Sequence, residues 1–247
     1  MDEYGLSTYG ERIADVYDAW YPFPAETDDA VEFLASLAGS GRALELAVGT
    51  GRIALPLSAR GVEVRGIDAS EAMVARMREK PGGASIPVAF GDFADVAVEG
   101  TYSLIYVVFN TLFALLTQED QLRCVRNVSA RLAEEGVFVL EAFVPDLTRF
   151  DRGQHTSTVE AGVDSVRLEA SVHDPIEQRV DSQHIVIGEG GAKLYPVRIR
   201  YAWPSELDLM ARIAGLRLRE RWGGWKREPY TGDGKHVSVY ERDPARR

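Results

Sequence analysis

The sequence contains little cysteine and no long apolar run. Cys124 is the only cysteine among 247 residues, which excludes a disulfide framework and a cysteine-based metal cluster and is typical of a protein from a reducing compartment. No apolar stretch approaches the length that spans a membrane, and the acidic, aromatic N-terminus lacks the basic start and apolar core of a signal peptide. We therefore expect a cytoplasmic protein with no metal site and no membrane partner.

Basic residues are also scarce. Lysine and arginine together number 28 against 38 aspartate and glutamate residues, which gives a net charge of -10. Because nucleic acids are held through clusters of basic side chains, we expect no nucleic acid partner and favour a small molecule as substrate. The length and the hydrophobic content of 45% suit one large α/β domain. The sequence leaves a homodimer open.

Short apolar runs alternate with helical patterns in the first half of the chain. This alternation predicts a doubly wound, Rossmann-like α/β fold with a mostly parallel, seven-stranded sheet and right-handed crossovers. A cofactor is then expected at the carboxyl ends of the strands. The predicted strands are residues 43–48, 62–67, 86–90, 103–109 and 137–143, and the predicted helices are residues 52–60, 71–80 and 118–133.

The pattern changes after Phe143. Residues 155–201 show the apolar–polar alternation of antiparallel strands, with proline and glycine turns between them. We predict that residues 145–201 form an inserted antiparallel β lid over the substrate. Residues 1–144 and 202–247 would form the cofactor-binding core with an N-terminal helical cover. A helix at 205–214 and strands at 216–222 and 237–240 would complete that core.

The stretch Glu45-Leu-Ala-Val-Gly-Thr-Gly51 is the most informative motif. Gly49 and Gly51 allow a tight turn in which backbone amides approach a ligand at the N-terminus of the next helix. Asp68 closes the second apolar run, where an acidic residue is expected to accept the ribose hydroxyls of a cofactor. Gly49, Gly51 and Ala54 also fit the Gly-x-Gly-x-x-Ala pattern of nicotinamide and flavin enzymes, so a dinucleotide is the alternative ligand.

Charge favours S-adenosylmethionine over a dinucleotide. The Glu45 carboxylate would repel a pyrophosphate, whereas S-adenosylmethionine carries a sulfonium and an ammonium group and no phosphate. Gly91-Asp92 closes a third strand, where Asp92 would accept the adenine amino group and Phe93 would cover the ring. Capping of strand ends is the alternative role of both acids.

Five segments, in this order, resemble the class I S-adenosylmethionine-dependent methyltransferases. They are ELAVGTGR, GIDASEAM, GDFAD, YSLIYVVFNTLFAL and GVFVLEAFVP. The opening ADVYDAWYP is similar to the N-terminal segment of the subgroup that contains amino-sugar N-methyltransferases, in which this segment folds over the bound cofactor. Glu45 departs from the family, which more often has an aspartate there, but the charge is retained.

The glycine loop, the strand ends and the N-terminal segment supply the predicted cofactor contacts. The N-terminal tyrosines are included because the resemblance implies that this segment closes over the cofactor. The predicted cofactor-binding residues are Tyr9, Tyr21, Glu45, Ala47, Gly49, Thr50, Gly51, Arg52, Asp68, Ala69, Met73, Gly91, Asp92, Phe93, Val108 and Phe109.

Acceptor and catalytic residues are predicted from strand ends and aromatic segments. Asn110 would orient a carbonyl or an amine, and Trp225 and Tyr230 would form an aromatic wall. Methyl transfer depends chiefly on positioning and on the exclusion of water. Where a proton must leave the acceptor, His155 and Glu141 are the predicted bases, ahead of the histidines at positions 173, 184 and 236. A structural role is the alternative for each.

We therefore expect methyl transfer from S-adenosylmethionine to an amine or a hydroxyl of a small specialised metabolite. N-methylation and O-methylation need the same geometry, so both stay open. Two further alternatives are a protein that binds the cofactor without transferring its methyl group and a nicotinamide oxidoreductase. A metal-dependent mechanism is not expected.

Overall fold

The predicted alternation of strands and helices forms a seven-stranded sheet in the computed structural model, which describes residues 3–246. The strands are β1 (Arg42–Leu46), β2 (Glu63–Asp68), β3 (Val88–Phe90), β4 (Tyr102–Val107), β5 (Leu132–Phe143), β6 (Gln154–Ala161), β7 (Ser165–Asp174), β8 (Arg179–Gly188), β9 (Gly191–Arg200), β10 (Leu216–Trp222) and β11 (Lys235–Arg242). The helices are α1 (Thr8–Ile13), α2 (Tyr17–Trp20), α3 (Pro24–Ala38), α4 (Ala54–Ala59), α5 (Glu71–Arg78), α6 (Gln118–Arg131) and α7 (Pro204–Ile213). Short 3-10 helices cover Gly83–Ser85, Thr111–Ala114, Leu147–Arg149 and Pro244–Arg246.

The strands of the main sheet lie in the order β10-β11-β5-β4-β1-β2-β3. Strands β1 to β5 pair in parallel, and β11 pairs antiparallel with both β5 and β10. The predicted doubly wound fold is confirmed. Because the order of the strands reverses between β1 and β4, a crevice opens at their carboxyl ends.

The central strands of this sheet are buried on both faces. On β4, Ile105 and Val107 pack into the apolar core on one face, and Leu104 and Tyr106 pack into the core on the other. Near-continuous apolar strands are expected where helices cover both faces of a sheet. No helix within residues 3–246 is long and apolar enough to cross a membrane.

The junction between α6 and β5 differs from the prediction. We predicted a helix to residue 133 and a strand from residue 137, but α6 ends at Arg131 and β5 begins at Leu132. The Arg242 guanidinium donates hydrogen bonds to the carbonyl oxygens of Ser129, Leu132 and Ala133. Carbonyl groups at a helix end need such partners. Here the partner comes from the other end of the chain, so the local sequence did not reveal it.

Strands β6 to β9 form a second, antiparallel sheet in the order β6-β7-β8-β9. This sheet is inserted between β5 and α7, as predicted. Strands β7, β8 and β9 each contain ten residues and pair along their whole length, so one face of the sheet presents alternate residues of three strands together.

Helices α1 and α2 connect the two sheets. The Ser70 hydroxyl, just after β2, donates a hydrogen bond of 2.8 Å to the Glu11 carboxylate of α1. Trp20 of α2 packs edge-on against Tyr195 of β9, with ring centroids 4.8 Å apart. The N-terminal segment therefore lies across the crevice between the main sheet and the second sheet.

Gly66 on β2 lets the loop after β1 pack closely. A Cβ atom at Gly66 would lie 2.7 Å from the Cβ atom of Val48, whose branched side chain is stiff. We expect Gly66→Ala to lower the free energy of unfolding by about 1–3 kcal/mol through overpacking, measured by urea denaturation. Gly190→Ala is the control, because nothing lies within 4 Å of a Cβ atom there. Equal losses in the two variants would contradict this packing argument.

Candidate active site

Two adjoining cavities lie at the carboxyl ends of the main-sheet strands. The first has a volume of about 270 Å³ and lies between the ends of β1, β2 and β4 and the N-terminal segment. The second has a volume of about 520 Å³ and lies between that segment and the second sheet. The residues that line both cavities are Tyr4, Tyr9, Tyr17, Phe109, Thr111 and Ala114. Ligands in the two cavities would therefore be neighbours across a shared wall.

All the predicted cofactor-binding residues except Tyr21, Gly51 and Gly91 line the first cavity. Tyr21 lines the second cavity instead. Gly51 has a φ of 77°, and a Cβ atom there would lie 2.6 Å from the Met77 side chain. Backbone conformation and packing therefore require glycine at this position. Gly91 donates its amide hydrogen to the carbonyl oxygen of Asp68 at 3.0 Å, which ties two strand ends together.

Asp68 orders the glycine loop through its carboxylate. One oxygen accepts a hydrogen bond from the Gly49 amide at 2.7 Å, and the other accepts one from the Ser70 amide at 2.8 Å. Burial raises the pKa of Asp68, and these backbone hydrogen bonds oppose the rise. Each carboxylate oxygen has a second lone pair, so the side chain can still accept hydrogen bonds from a ligand in the first cavity.

Glu45 is a buried acid beneath the same loop. Its side chain lies at the first cavity and accepts a hydrogen bond of 3.0 Å from the Tyr106 hydroxyl. Burial raises the pKa of Glu45 to about 8, although the Tyr106 hydrogen bond and the Arg52 charge oppose the rise. The carboxyl group is therefore mostly protonated at neutral pH in the absence of a ligand.

Asp92 and Phe93 line the opposite side of the first cavity. The Asp92 carboxylate accepts a hydrogen bond from the Ala94 amide at 2.8 Å and pairs with Arg123 at 2.9 Å. Phe93 is buried in the core on one face of the main sheet. This pair combines a fixed hydrogen-bond acceptor with an aromatic face.

The chain turns sharply where β4 ends. Phe109 and Asn110 have positive φ values of 56° and 63°, which a phenylalanine rarely adopts. The Phe109 amide donates a hydrogen bond of 2.8 Å to the Glu141 carboxylate, and the Asn110 side chain accepts one of 2.6 Å from the Phe143 amide. The Phe109 ring thereby stands in the wall that separates the two cavities.

Glu141, predicted as a base, lies behind Phe109 and lines neither of these cavities. Besides the Phe109 amide, its carboxylate accepts hydrogen bonds from Trp225 at 3.2 Å and from Lys235 at 3.3 Å. Burial raises its pKa. The apolar strand that suggested a catalytic acid instead holds a carboxylate whose visible contacts fix the backbone of Phe109.

Three tyrosines of the N-terminal segment surround the shared wall. The Tyr9 and Tyr21 hydroxyls are hydrogen-bonded to each other. Burial raises the pKa of Tyr17 to about 12 and raises those of Tyr9 and Tyr21 as well. All three side chains are therefore neutral phenols that can donate hydrogen bonds but carry no charge at neutral pH.

Three other predicted site residues lie outside both cavities. His155 makes a hydrogen bond of 3.0 Å between its Nδ1 atom and the Arg149 carbonyl. Trp225 is buried against Phe33, and Tyr230 packs against His236. Trp225 lies behind Phe109, where it donates a hydrogen bond to Glu141, and neither Trp225 nor Tyr230 lines the two cavities. Asn110, in contrast, lines the second cavity.

The sequence interpretation missed most of the second cavity. Its lining includes Arg149, Phe150, Glu169, Ser182, His184 and Tyr201. Alternation along β7 and β8 puts the polar members Glu169, Ser182 and His184 on one face. That signal was present in the sequence, but the pairing of β7 with β8 was needed to see that these side chains converge.

Comparisons with known proteins agree with this geometry. A family profile described as a methyltransferase domain matches residues 43–136. The solved structure of the CcbJ methyltransferase from Streptomyces caelestis is 43% identical, covers 97% of this chain and 99% of its own, and superposes with a TM-score of 0.91. The chain belongs to the S-adenosylmethionine-dependent methyltransferases.

Two curated relatives extend this result. This chain is 26% identical over 236 residues to the cypemycin N-terminal methyltransferase of a Streptomyces species. The match covers 94% of this chain and 96% of that protein. The chain is 29% identical over 142 residues to the dTDP-4-amino-2,3,4,6-tetradeoxy-D-glucose N,N-dimethyltransferase of Saccharopolyspora spinosa, covering 55% and 56% of the two chains. The methyl donor is S-adenosylmethionine, and the nicotinamide alternative is wrong.

The raised pKa of Glu45 makes the stability of the methyltransferase depend on pH. In the folded protein Glu45 keeps its proton until the pH approaches its pKa of about 8. An unfolded glutamate loses its proton near its ordinary pKa of about 4.3. The contribution of Glu45 to the free energy of unfolding is therefore fully present below about pH 4. It is lost as the pH rises to about 8, by at most about 1.4 kcal/mol per pH unit.

Glu45→Gln mimics the protonated acid and should remove this pH dependence. We expect the free energy of unfolding of the wild type to fall relative to that of Glu45→Gln as the pH rises from 5 to 8. Urea denaturation of the two proteins across this range measures the difference. Parallel curves would show that Glu45 does not carry the buried proton.

Proposed function

We propose that this methyltransferase transfers a methyl group from S-adenosylmethionine in the first cavity to an amine of a small specialised metabolite in the second. The shared wall is the observation that carries the proposal. Displacement at the methyl carbon requires the acceptor lone pair in line with the departing sulfur and close to it. Two adjoining cavities whose linings share Tyr9, Tyr17 and Phe109 place a ligand in one beside a ligand in the other, which supports such an arrangement.

The chemistry of the first cavity supports a cationic, nucleoside-like ligand. A Glu45 carboxylate would attract the ammonium or the sulfonium group and would repel a phosphate. Asp68 has free lone pairs for the ribose hydroxyls, and Asp92 with Phe93 offers an acceptor and a ring for adenine. With the loop residues Ala47, Gly49, Thr50 and Arg52, these residues form the proposed cofactor site.

The lining of the second cavity suits an acceptor that has both an apolar body and a polar group. Phe143, Phe150 and Tyr201 supply aromatic walls, while Glu169 and Ser182 supply polar side chains. Glu169 is itself paired with Arg149 at 2.8 Å, so the cavity has no large excess of either charge there. A ring-shaped or sugar-like amine would contact both kinds of surface.

An amine is favoured over a hydroxyl as acceptor by the chemistry of the site and by the relatives. The buried tyrosines around the wall are neutral, so they can donate hydrogen bonds but are weak bases. An ammonium group needs to lose one proton near neutral pH, whereas an alcohol needs a far stronger base. One relative is named as an N-terminal methyltransferase and another as an N,N-dimethyltransferase of an amino sugar, which supports the same chemistry here.

We also propose that residues 145–201 act as a substrate lid in an enzyme of the cytoplasm. Residues of β7, β8 and β9 line the second cavity. No residue of the second sheet lines the first cavity, which contains the glycine loop. An acceptor would therefore contact the lid while the cofactor contacts the core. This division suits a fold in which one element binds a common donor and another selects the acceptor.

Asp68→Asn should weaken the binding of S-adenosylmethionine by tenfold or more, since a hydrogen bond to a charged group is worth about 1.5–3 kcal/mol. Calorimetric titration measures the affinity, with NADH as a competing ligand. Asp28→Asn on α3 is the matched control, because Asp28 is exposed and lines neither cavity. Equal affinities in the two variants, or binding of NADH, would contradict the proposed cofactor site.

Matched acceptors test the choice of amine. We expect label from methyl-labelled S-adenosylmethionine on nitrogen when a nucleotide-linked amino sugar or a peptide with a free N-terminus is supplied, together with one equivalent of S-adenosylhomocysteine. The corresponding hydroxy sugar and the N-acetylated peptide are the controls. Mass spectrometry locates the methyl group. Label on oxygen would point to an O-methyltransferase, and intact donor after turnover would point to a reaction without methyl transfer.

A further inference from the structure

His184 lines the second cavity and has an unsatisfied ring nitrogen. It lies on β8, and its Nδ1 atom is buried without a hydrogen-bond partner within residues 3–246. Buried polar atoms in folded proteins almost always have partners, so an exception calls for an explanation. A neutral ring that carries its proton on this buried nitrogen keeps Nε2 as its proton acceptor.

The other histidines are engaged or lie away from the cavities. Nε2 of His173 is 2.9 Å from the Tyr201 hydroxyl, and its ring stacks on Phe150. His155 binds the Arg149 carbonyl, and His236 is completely buried in the main sheet. His184 is the one histidine, within residues 3–246, that lines either cavity.

The surroundings of His184 favour a neutral ring, and one neighbour can also stabilise the protonated ring. Glu169 on β7 and Tyr195 on β9 lie directly opposite it, and Trp20 of α2 meets its ring edge-on at 5.9 Å. Burial lowers the pKa of His184; the Glu169 charge opposes this effect and the Arg167 charge adds to it. A neutral imidazole can accept a proton, and the carboxylate of Glu169 would stabilise the imidazolium that results.

A polar connection runs from the shared wall toward this histidine. Tyr21 lines the second cavity together with Glu169 and His184, and its hydroxyl is hydrogen-bonded to that of Tyr9 in the shared wall. The charges of Arg167 and Glu169 act on the pKa values of both Tyr21 and His184. His184 thus shares the second cavity with Tyr21, whose hydroxyl meets the shared wall at Tyr9.

We propose that His184 is the base that takes the proton of the acceptor ammonium before methyl transfer. This inference rests on the proposed function. The N–H bond of the ammonium breaks, its proton moves to the imidazole, and the nitrogen keeps the electron pair. That pair then forms the N–C bond as the C–S bond breaks, and the sulfur retains the bonding pair as the neutral thioether of S-adenosylhomocysteine. The imidazolium returns its proton to solvent after product release.

His184→Gln tests the proposal with the amine that the wild type methylates fastest. We expect kcat at pH 7 to fall by about 10²-fold or more, as for the loss of a general base, while the affinity for S-adenosylmethionine stays within about twofold. The loss should shrink toward pH 9–10, because the free amine then arrives without its extra proton. Glu189→Gln is the comparison, because Glu189 is exposed after β8 and lines neither cavity, and this variant should keep the rate and the pH profile of the wild type.

A second measurement uses the wild type, so its result does not depend on whether His184→Gln folds. In the wild type with an unreactive cofactor analogue that keeps a positive charge in place of the sulfonium, the NMR signal of the His184 ring should report protonation when the same amine is added, and it should not when the N-acetylated compound is added. An unchanged rate and pH profile in His184→Gln, or a ring that stays neutral on addition of the amine, would overturn the role of His184. If the wild type binds S-adenosylmethionine but methylates no amine, the proposed function itself fails, and this inference fails with it.

Discussion

The left-handed backbone at Phe109 and Asn110 is the constraint on which the site depends. Two consecutive non-glycine residues in this region cost about 1–3 kcal/mol each, and an asparagine tolerates it better than a phenylalanine does. The hydrogen bond from the Phe109 amide to the buried Glu141 carboxylate offsets part of that cost, since a bond to a charged group is worth about 1.5–3 kcal/mol. The backbone can therefore turn at the end of β4 and set the Phe109 ring between the two cavities.

The same constraint determines where the inserted sheet begins. The Asn110 side chain holds the Phe143 amide at the point where the chain leaves β5 for the second sheet. The end of β4 and the exit from β5 are thus fixed by one turn. A change in that turn would move the shared wall and the start of the second sheet together, which gives the buried Glu141 a structural role in the apolar stretch 137–143.

Local sequence patterns predicted the parts of this fold that local physics determines. The apolar runs of β1, β2 and β4 and the glycine loop after β1 are short-range signals, and they led to the residues of the first cavity that lie at these strand ends. Glu141 shows the limit of such patterns, because an acid in an apolar strand looks catalytic until its partners, Phe109 and Trp225, are known. Those partners lie 32 and 84 positions away.

The second cavity was harder to predict for a related reason. Its walls come from the N-terminal segment, the end of β4, the exit from β5 and three strands of the insertion. Tyr4 and Arg198 illustrate the distance involved, since the Tyr4 hydroxyl accepts the Arg198 amide hydrogen across 194 positions. The aromatic loop around Trp225 carried a stronger composition signal, but Trp225 packs on the Phe33 ring and binds Glu141 and does not line the second cavity.

The short distance across the shared wall also affects how an acceptor ammonium loses its proton. The histidine proposed to receive that proton is a weak base. In the proposed complex the cationic sulfonium lies next to the acceptor nitrogen. Two positive charges about 4–5 Å apart repel by about 3–4 kcal/mol at an effective dielectric constant of about 20, which lowers the pKa of the amine by about 2–3 units. Ionisation of Glu45 on the far side of the loop reduces this repulsion without removing it. The donor that supplies the methyl group therefore also makes the acceptor easier to deprotonate, and a histidine with a lowered pKa becomes a sufficient base.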